Sequence, residues 1–452
     1  MSLGTSAGSL TLSFSDGGLT TEHELRATGL TPNTAYYYAV GSSTAQLAGG
    51  VDYYFRTAPL ASKPTRIWVI GDAGTQTFQQ EQVRDAYYSY AQGRYTDLWL
   101  ILGDNAYPAG TDDQYQAAVF NVYPEILRQT PVWPTIGNHE TYGAPDNDHL
   151  AYLDIFTLPR NGEAGGISSG TEKYYSFNYG NIHFVCLDSM TVSRQPGSAM
   201  LTWLEQDLAA NTNHWLIAYW HHPPYTKGSH DSDYEIELIE MRSNVLPVLE
   251  SYGVDLVLSG HSHAYERSYL LNGHYGQSWE FQQSMKINAG SGREEDGGIY
   301  NKTVNGLSAN KGAVYVVAGS SGQTGGGELN HPAMFLSLNE LGSLVLDLDG
   351  STLEAVFLRE TGEISDHFTL HKSRPSDVLI THFAVGGGLA YIEWKSKPGS
   401  FYRIQYTTNL TPPQHWVEVS GNLQATGTTT PYYDFYSPTD SMRTYRVVDM
   451  TE

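Results

Sequence analysis

The sequence predicts an α/β core with a β-rich segment on either side. Three observations carry this. Between residues 65 and 372, short apolar runs alternate with helical patterns, as in layered helices and sheet. Residues 1–62 and 377–452 show strand patterns and no helical period. Gly 46, Tyr 33 and only 16% charged residues in a chain of 452 suit β-rich, exported proteins with uncharged polar surfaces.

Near the N-terminus, Gly29-Leu30-Thr31-Pro32-Asn33-Thr34 reads as a turn, followed by aromatic strands over 35–40 and 52–56. Residues 58–64, with two prolines, read as a linker. In the core, apolar strands are expected over 66–70, 98–102, 183–187, 215–220, 254–258 and 314–318. Helices are expected over 77–92, 114–128, 199–210 and 235–251. Residues 344–347 and 354–359 read as a hairpin around Asp349-Gly350. A second linker is expected over 373–376. Strands over 390–394, 402–406, 416–419 and 445–448 then make a separate β domain. The expected division is 1–62, 65–373 and 377–452.

Charge narrows the function. Lys+Arg 25 against Asp+Glu 48 leaves a net charge of −23, which excludes a nucleic-acid backbone binder. An anionic small substrate would need a local positive centre. The single cysteine, Cys186, allows neither an internal disulfide nor a cysteine zinc site, and its apolar run 182–187 marks a buried structural thiol. No apolar run reaches the length of a membrane span. Met1-Ser2-Leu3-Gly4 reads as an expression start standing in place of an export signal.

Five motifs follow expected strands: Gly71-Asp72-Ala73-Gly74, Gly103-Asp104-Asn105-Ala106-Tyr107, Gly137-Asn138-His139-Glu140, His221-His222-Pro223-Pro224 and Gly260-His261-Ser262-His263-Ala264-Tyr265-Glu266-Arg267. Strand ends of an open α/β sheet form the crevice where ligands bind. Glycine before a ligand is expected to let the backbone turn there. Carboxylates, a tyrosine, an asparagine and several histidines suit first-row metals such as Fe, Mn or Zn, and not Ca or Mg alone. Seven ligands exceed one tetrahedral ion and fit two ions sharing a bridge.

In this order, the motifs resemble those of the calcineurin-like metallophosphoesterases and, within them, the purple acid phosphatases. The resemblance covers about residues 65–370 and implies a four-layer α-β-β-α sandwich. Residues 1–62 resemble a fibronectin type III module, shorter than a full one, as in the plant-type members. Residue by residue, the resemblance implies that Asp72, Asp104, Tyr107 and His263 hold a trivalent iron, Fe(III). Asp104, Asn138, His221 and His261 would hold a divalent Fe, Zn or Mn, with Asp104 bridging. Two carboxylates, a phenolate and a bridging hydroxide against five positive charges leave about +1, attractive to a phosphate dianion.

The implied activity is hydrolysis of small phosphomonoesters by metal-bound hydroxide at acidic to mildly acidic pH. His139 and His230 are the implied substrate contacts, with His139 first in line to protonate the leaving oxygen. His222 reads as a supporting or packing residue. Glu266 and Arg267 are expected to pair with each other or to orient the His263 loop. The glycine-rich stretch 319–327 lacks the order of a phosphate-binding loop and reads as a flexible segment near the site mouth. Asn301-Lys302-Thr303 and Asn409-Leu410-Thr411 fit glycan acceptors in a eukaryotic secretory host. Composition and family habit imply a secreted or periplasmic protein. Two other readings compete: a phosphodiesterase or phospholipase-like esterase on the same scaffold, and a binding protein whose phosphatase core is inactive.

Overall fold

The computed structural model describes residues 1–18, 23–304, 310–373, 378, 380–408, 416–436 and 443–450. The chain divides into two compact units, Met1–Tyr300 with Gly312–Leu370, and Asn301–Lys311 with His371–Glu452.

Two large sheets form the core of the first unit. In one, parallel strands Ile182–Cys186, Trp215–Trp220, Leu256–Ser259 and Val314–Ala318 lie side by side. Antiparallel strands flank them: Tyr175–Tyr179 on one side, Tyr265–Ser268 and Met334–Leu338 on the other. In the other, Thr65–Ile70, Leu98–Ile101 and Val132–Pro134 run parallel, and the hairpin Gly342–Asp349/Thr352–Arg359 joins antiparallel beside Thr65–Ile70.

Side-chain alternation along each strand builds the layers. Ile67, Val69, Leu98 and Leu100 meet Phe184, Ile217 and Leu256 in a core between the sheets. Their neighbours Trp68, Ile70, Trp99 and Ile101 face outward, where Tyr87 of helix Phe78–Ala91 stacks on Trp68 at 4.3 Å. On the opposite outer face, Val185, Leu216 and Val257 pack with Met200 and Leu204 of helix Ala199–Ala210 and with Leu246 and Leu249. The order is helix, sheet, sheet, helix. Each such side chain, fully buried, contributes about 1.5–3 kcal/mol.

Proline alters two expected helices. Instead of one helix over 114–128 there are Asp112–Tyr115, a π turn Gln116–Phe120 and a 3-10 turn Ile126–Arg128. Pro124 disfavours helical backbone at Tyr123, so the run breaks there. The stretch 235–251 stays continuous, but a π segment, Met241–Val245, joins Ile236–Glu240 to Leu246–Ser251. Pro247 has no N–H to donate, and the ladder shifts register ahead of it.

Near the N-terminus, strands Ser2–Gly4, Leu12–Ser13, Ala35–Gly41 and Gln46–Arg56 form one antiparallel sheet. It is tied to the core by Tyr38 Oη, which donates to the Arg128 carbonyl at 3.0 Å. In the second unit, Ile380–Gly386, Leu389–Lys395 and Thr429–Phe435 form one sheet, and Phe401–Thr407 pairs with Val417–Glu418, Leu423–Gln424 and Thr444–Asp449. Ile392, Trp394, Tyr402 and Ile404 are its buried centre. Linker residues 374–376 and the acceptor Asn409 lie outside the described residues. Among the described residues, no helix is long and apolar enough to cross a membrane.

Candidate metal centre

Every expected ligand sits just beyond the C-terminal end of a parallel strand or on the loop that follows. Asp72, Asp104 and Asn138 come from the second sheet, and His221, His261 and His263 from the first. The expected reason holds at Gly103, which turns with φ of +89° just before Asp104, but not at the other motifs. The ligands themselves take up the unusual backbone, with φ of +54° at Asp72, +50° at Asp104 and +66° at His261. Such conformations cost about 1–3 kcal/mol each in a non-glycine residue and cluster at functional sites. Gly71, Gly137 and Gly260 instead permit close approach. A Cβ on Gly137 would stand 2.2 Å from Asp104 Oδ1, and one on Gly260 2.5 Å from Asp72 Oδ2.

The side chains converge as two donor groups that share Asp104. In the first, Tyr107 Oη lies 3.0 Å from Asp104 Oδ2, 3.3 Å from Asp72 Oδ1 and 3.3 Å from His263 Nε2. In the second, Asn138 Oδ1 lies 3.0 Å from His221 Nε2 and 3.1 Å from His261 Nδ1, and Asp104 Oδ1 is 3.5 Å from His221 Nε2. Ligands about 2.0–2.2 Å from one ion are separated by about 3–3.5 Å, so this spacing matches a shared ion in each group.

The donor chemistry fits a cation equally well. His221 Nδ1 lies 2.8 Å from the Leu102 carbonyl, so that nitrogen carries the proton. Nε2 of the neutral ring then presents a lone pair to the Asn138 oxygen. The Asn138 amide is held the right way round because its Nδ2 donates to Tyr142 Oη at 2.9 Å. His261 repeats the pattern: Nε2 lies 2.9 Å from Glu235 Oε2, leaving Nδ1 as the acceptor facing the group. Lone pairs directed at lone pairs are favourable only around positive charge.

Electrostatics agree. Burial and the two carboxylates push the Tyr107 phenol far up, so it gives up its proton only to a cation. Burial pulls His221 down, but Asp104 and Asp72 outweigh it and the net shift is upward, so these carboxylates favour positive charge at Nε2, and a cation there must take the place of a second proton for the ring to ligate. Burial lowers His261 to about 4, keeping it neutral and able to ligate.

Supporting contacts cross-link the loops. The His261 N–H donates to Asp72 Oδ2 at 2.7 Å, and the His139 N–H to Asp104 Oδ1 at 2.9 Å. Glu140, fully buried, accepts the amides of Asp104, Asn105 and Gly137. Glu235 joins His230 Nδ1 at 2.8 Å to His261, the carboxylate–histidine arrangement that orients metal ligands. Sequence reasoning assigned no role to Glu140 or Glu235. Glu140 lay within a quoted motif, whereas Glu235 carried no signal beyond opening an expected helix.

His139 and His230 both reach the site. The His139 ring lies 4.3 Å from that of Tyr107, with Nδ1 2.7 Å from the Pro108 carbonyl, and the His230 ring lies 3.7 Å from that of His261. His222 is buried, with Nδ1 2.8 Å from Ser189 Oγ, a packing role as expected. Glu266 and Arg267 do not pair with each other. Adjacent strand residues point to opposite faces, so Glu266 accepts from Thr226 and Ser337 while Arg267 makes a bidentate pair with Asp366. The stretch 319–327 borders the site: Gln323 Nε2 is 3.3 Å from His263 Nε2, and the Gly325 N–H donates to the His263 carbonyl. Cys186 is buried, its thiol pushed up to about 12 by burial, as a structural thiol should be.

Residues 65–265 match the family model described as calcineurin-like phosphoesterase. That stretch contains all seven expected ligands. Among similar proteins of Arabidopsis thaliana, purple acid phosphatase 15 is 32% identical over 275 residues, covering 54% of this chain and 49% of that protein. Probable purple acid phosphatase 20 is 31% identical over 275 residues, covering 59% and 60%. The chain thus spans about half to three-fifths of the length of these relatives. The purple acid phosphatase PPD1 from yellow lupin (Lupinus luteus) seeds matches the phosphoesterase fold with a TM-score of 0.55 at 18% identity, covering 76% of this chain and 61% of that one.

Proposed function

We propose that the chain is a binuclear metal-dependent phosphatase that hydrolyses phosphomonoesters. The observation that carries this reading is Asp104, whose two oxygens face two different donor groups. Asp72, Asp104, Tyr107 and His263 would hold Fe(III), and Asp104, Asn138, His221 and His261 a divalent Fe, Zn or Mn. Two cations there would supply Lewis-acid polarisation of a phosphoryl group and a water acidic enough to lose a proton near neutral pH.

The chain's own residues do the rest. Glu235 and the Leu102 carbonyl fix which imidazole nitrogens face the metals. His139 acts as an imidazolium: its Nδ1–H stays on the Pro108 carbonyl, and its Nε2 proton passes to the departing oxygen as the P–O bond breaks, leaving the neutral ring. His230, oriented by Glu235, holds a phosphoryl oxygen.

Around this centre we read residues 1–62 as a fibronectin III-like module, 65–373 as the catalytic domain and 377–452 as an accessory β domain of an exported protein. Elemental analysis should find two metals per chain, and Asp104→Ala should abolish hydrolysis of an aryl phosphate. Full activity after chelation refutes the reading. Comparing an aryl monoester with a bis-aryl diester separates it from a diesterase.

A further inference from the structure

Tyr142 is a large aromatic residue left 61% exposed beside the metal centre. Its ring lies 4.7 Å from that of His139, which in turn lies 4.3 Å from Tyr107. It is held at both ends. Its hydroxyl accepts from Asn138 Nδ2 at 2.9 Å. The next residue, Gly143, donates its N–H to the Ala109 carbonyl at 2.9 Å, an approach so close that a Cβ on Gly143 would stand 2.4 Å from that oxygen. An exposed ring already ordered in this way offers a face at little further entropic cost.

The cations that adjoin the site histidines are already paired with carboxylates, which leaves little to attract a second anionic group on the substrate. Lys227, three residues before His230, is bound at Nζ by Asp231 at 2.6 Å and Asp233 at 2.7 Å. Arg194, which donates to the carbonyl of the His222 partner Ser189, is paired with Glu240 at 2.9 Å. Asp146 and Asp148, which follow Tyr142 in the chain, meet His149 at 2.7 Å and Lys173 at 2.6 Å, so Lys173 too is already paired. The molecule as a whole carries −23.

We propose that Tyr142 determines leaving-group specificity, its ring receiving the organic part of the substrate, and that the class selected is a monophosphate ester of a planar, uncharged group. This rests on the phosphatase reading above. Stacking of one ring on another is worth about threefold to tenfold in affinity.

The metal-loaded full chain is tested with phenyl phosphate, glycerol 2-phosphate and inositol hexakisphosphate. Binding of phenylphosphonate and methylphosphonate is measured by calorimetry. The parent should favour the phenyl compound in each comparison. Tyr142→Ala and Tyr142→Phe both lose the hydroxyl that meets Asn138, so the ring is read from the comparison between them: Tyr142→Ala should show a KM for phenyl phosphate about threefold to tenfold above that of Tyr142→Phe, the same KM for glycerol 2-phosphate as Tyr142→Phe, and no phenylphosphonate advantage. Tyr142→Phe, which keeps the ring, should retain the phenyl-to-glycerol ratio. The proposal is overturned if the ratio survives in Tyr142→Ala, if it is lost equally in Tyr142→Phe, or if the hexakisphosphate matches phenyl phosphate in the parent. A parent that hydrolyses none of the three refutes the phosphatase reading instead.

Discussion

Replacing Glu235 by alanine should weaken one metal site and spare the other. Its carboxylate meets His261 Nε2 at 2.9 Å and His230 Nδ1 at 2.8 Å. His261 is nearly buried, so removal of the carboxylate leaves its N–H without an acceptor, a cost of about 1–3 kcal/mol. Loss of a hydrogen-bonded partner behind a metal-ligating histidine typically lowers metal affinity about 10- to 100-fold, or about 1.4–2.7 kcal/mol. The two routes agree in size. Only the donor group of Asn138, His221, His261 and Asp104 contains His261, so the loss should fall on that ion alone. Glu235→Gln, which keeps an acceptor but not the charge, should lose about tenfold or less. Chelator competition with elemental analysis reads both affinities. Equal weakening of the two ions, or of neither, would refute the assignment of His261 Nδ1 to a single ion.

Three further outcomes are expected. Gly137→Ala forces a methyl group against the Asp104 carboxylate and should reduce phosphatase activity by about 100-fold or more while circular dichroism stays that of the parent. Asp366→Ala leaves the buried Arg267 guanidinium without its partner and should cost about 3–5 kcal/mol in urea unfolding. Burial raises Glu266 from 4.5 to about 7, so the folded state binds its proton more tightly than the unfolded chain. The contribution of Glu266 to stability is therefore full below pH 4.5 and is lost as pH rises through about 7. Relative to the parent, Glu266→Gln should gain Tm at pH 8 compared with pH 5, by up to about 3 kcal/mol equivalent, and an unchanged difference across that range would contradict the shift.

Much of the centre was legible because each ligand adjoins a strand that announces itself. Six residues such as Trp215–Trp220, apolar throughout, can only be a buried strand or helix, and His221 at its end then has a place. The edge strand Tyr175–Tyr179 also carried a readable signal, aromatic residues at every second position, yet lay outside the expected elements. The helix break at Pro124 and the register shift ahead of Pro247 were readable from proline alone. Other features had no local trace. Arg267 finds Asp366 across 99 residues, and Glu235 meets His261 across 26.

The sequence by itself determined the alternation of strand and helix, the residue types delivered to the crevice, and the overall negative charge. These are properties of neighbours in the chain, set by periodicity and composition. Only the tertiary structure decided which oxygen of Asp104 faces which donor group, which imidazole nitrogen of His221 and His261 is free, and that Tyr142 stands open beside them. Those choices depend on hydrogen-bond partners supplied by distant segments, such as the Leu102 carbonyl and the Glu235 carboxylate. Nothing in a residue's own neighbourhood encodes the identity of a partner brought to it by packing.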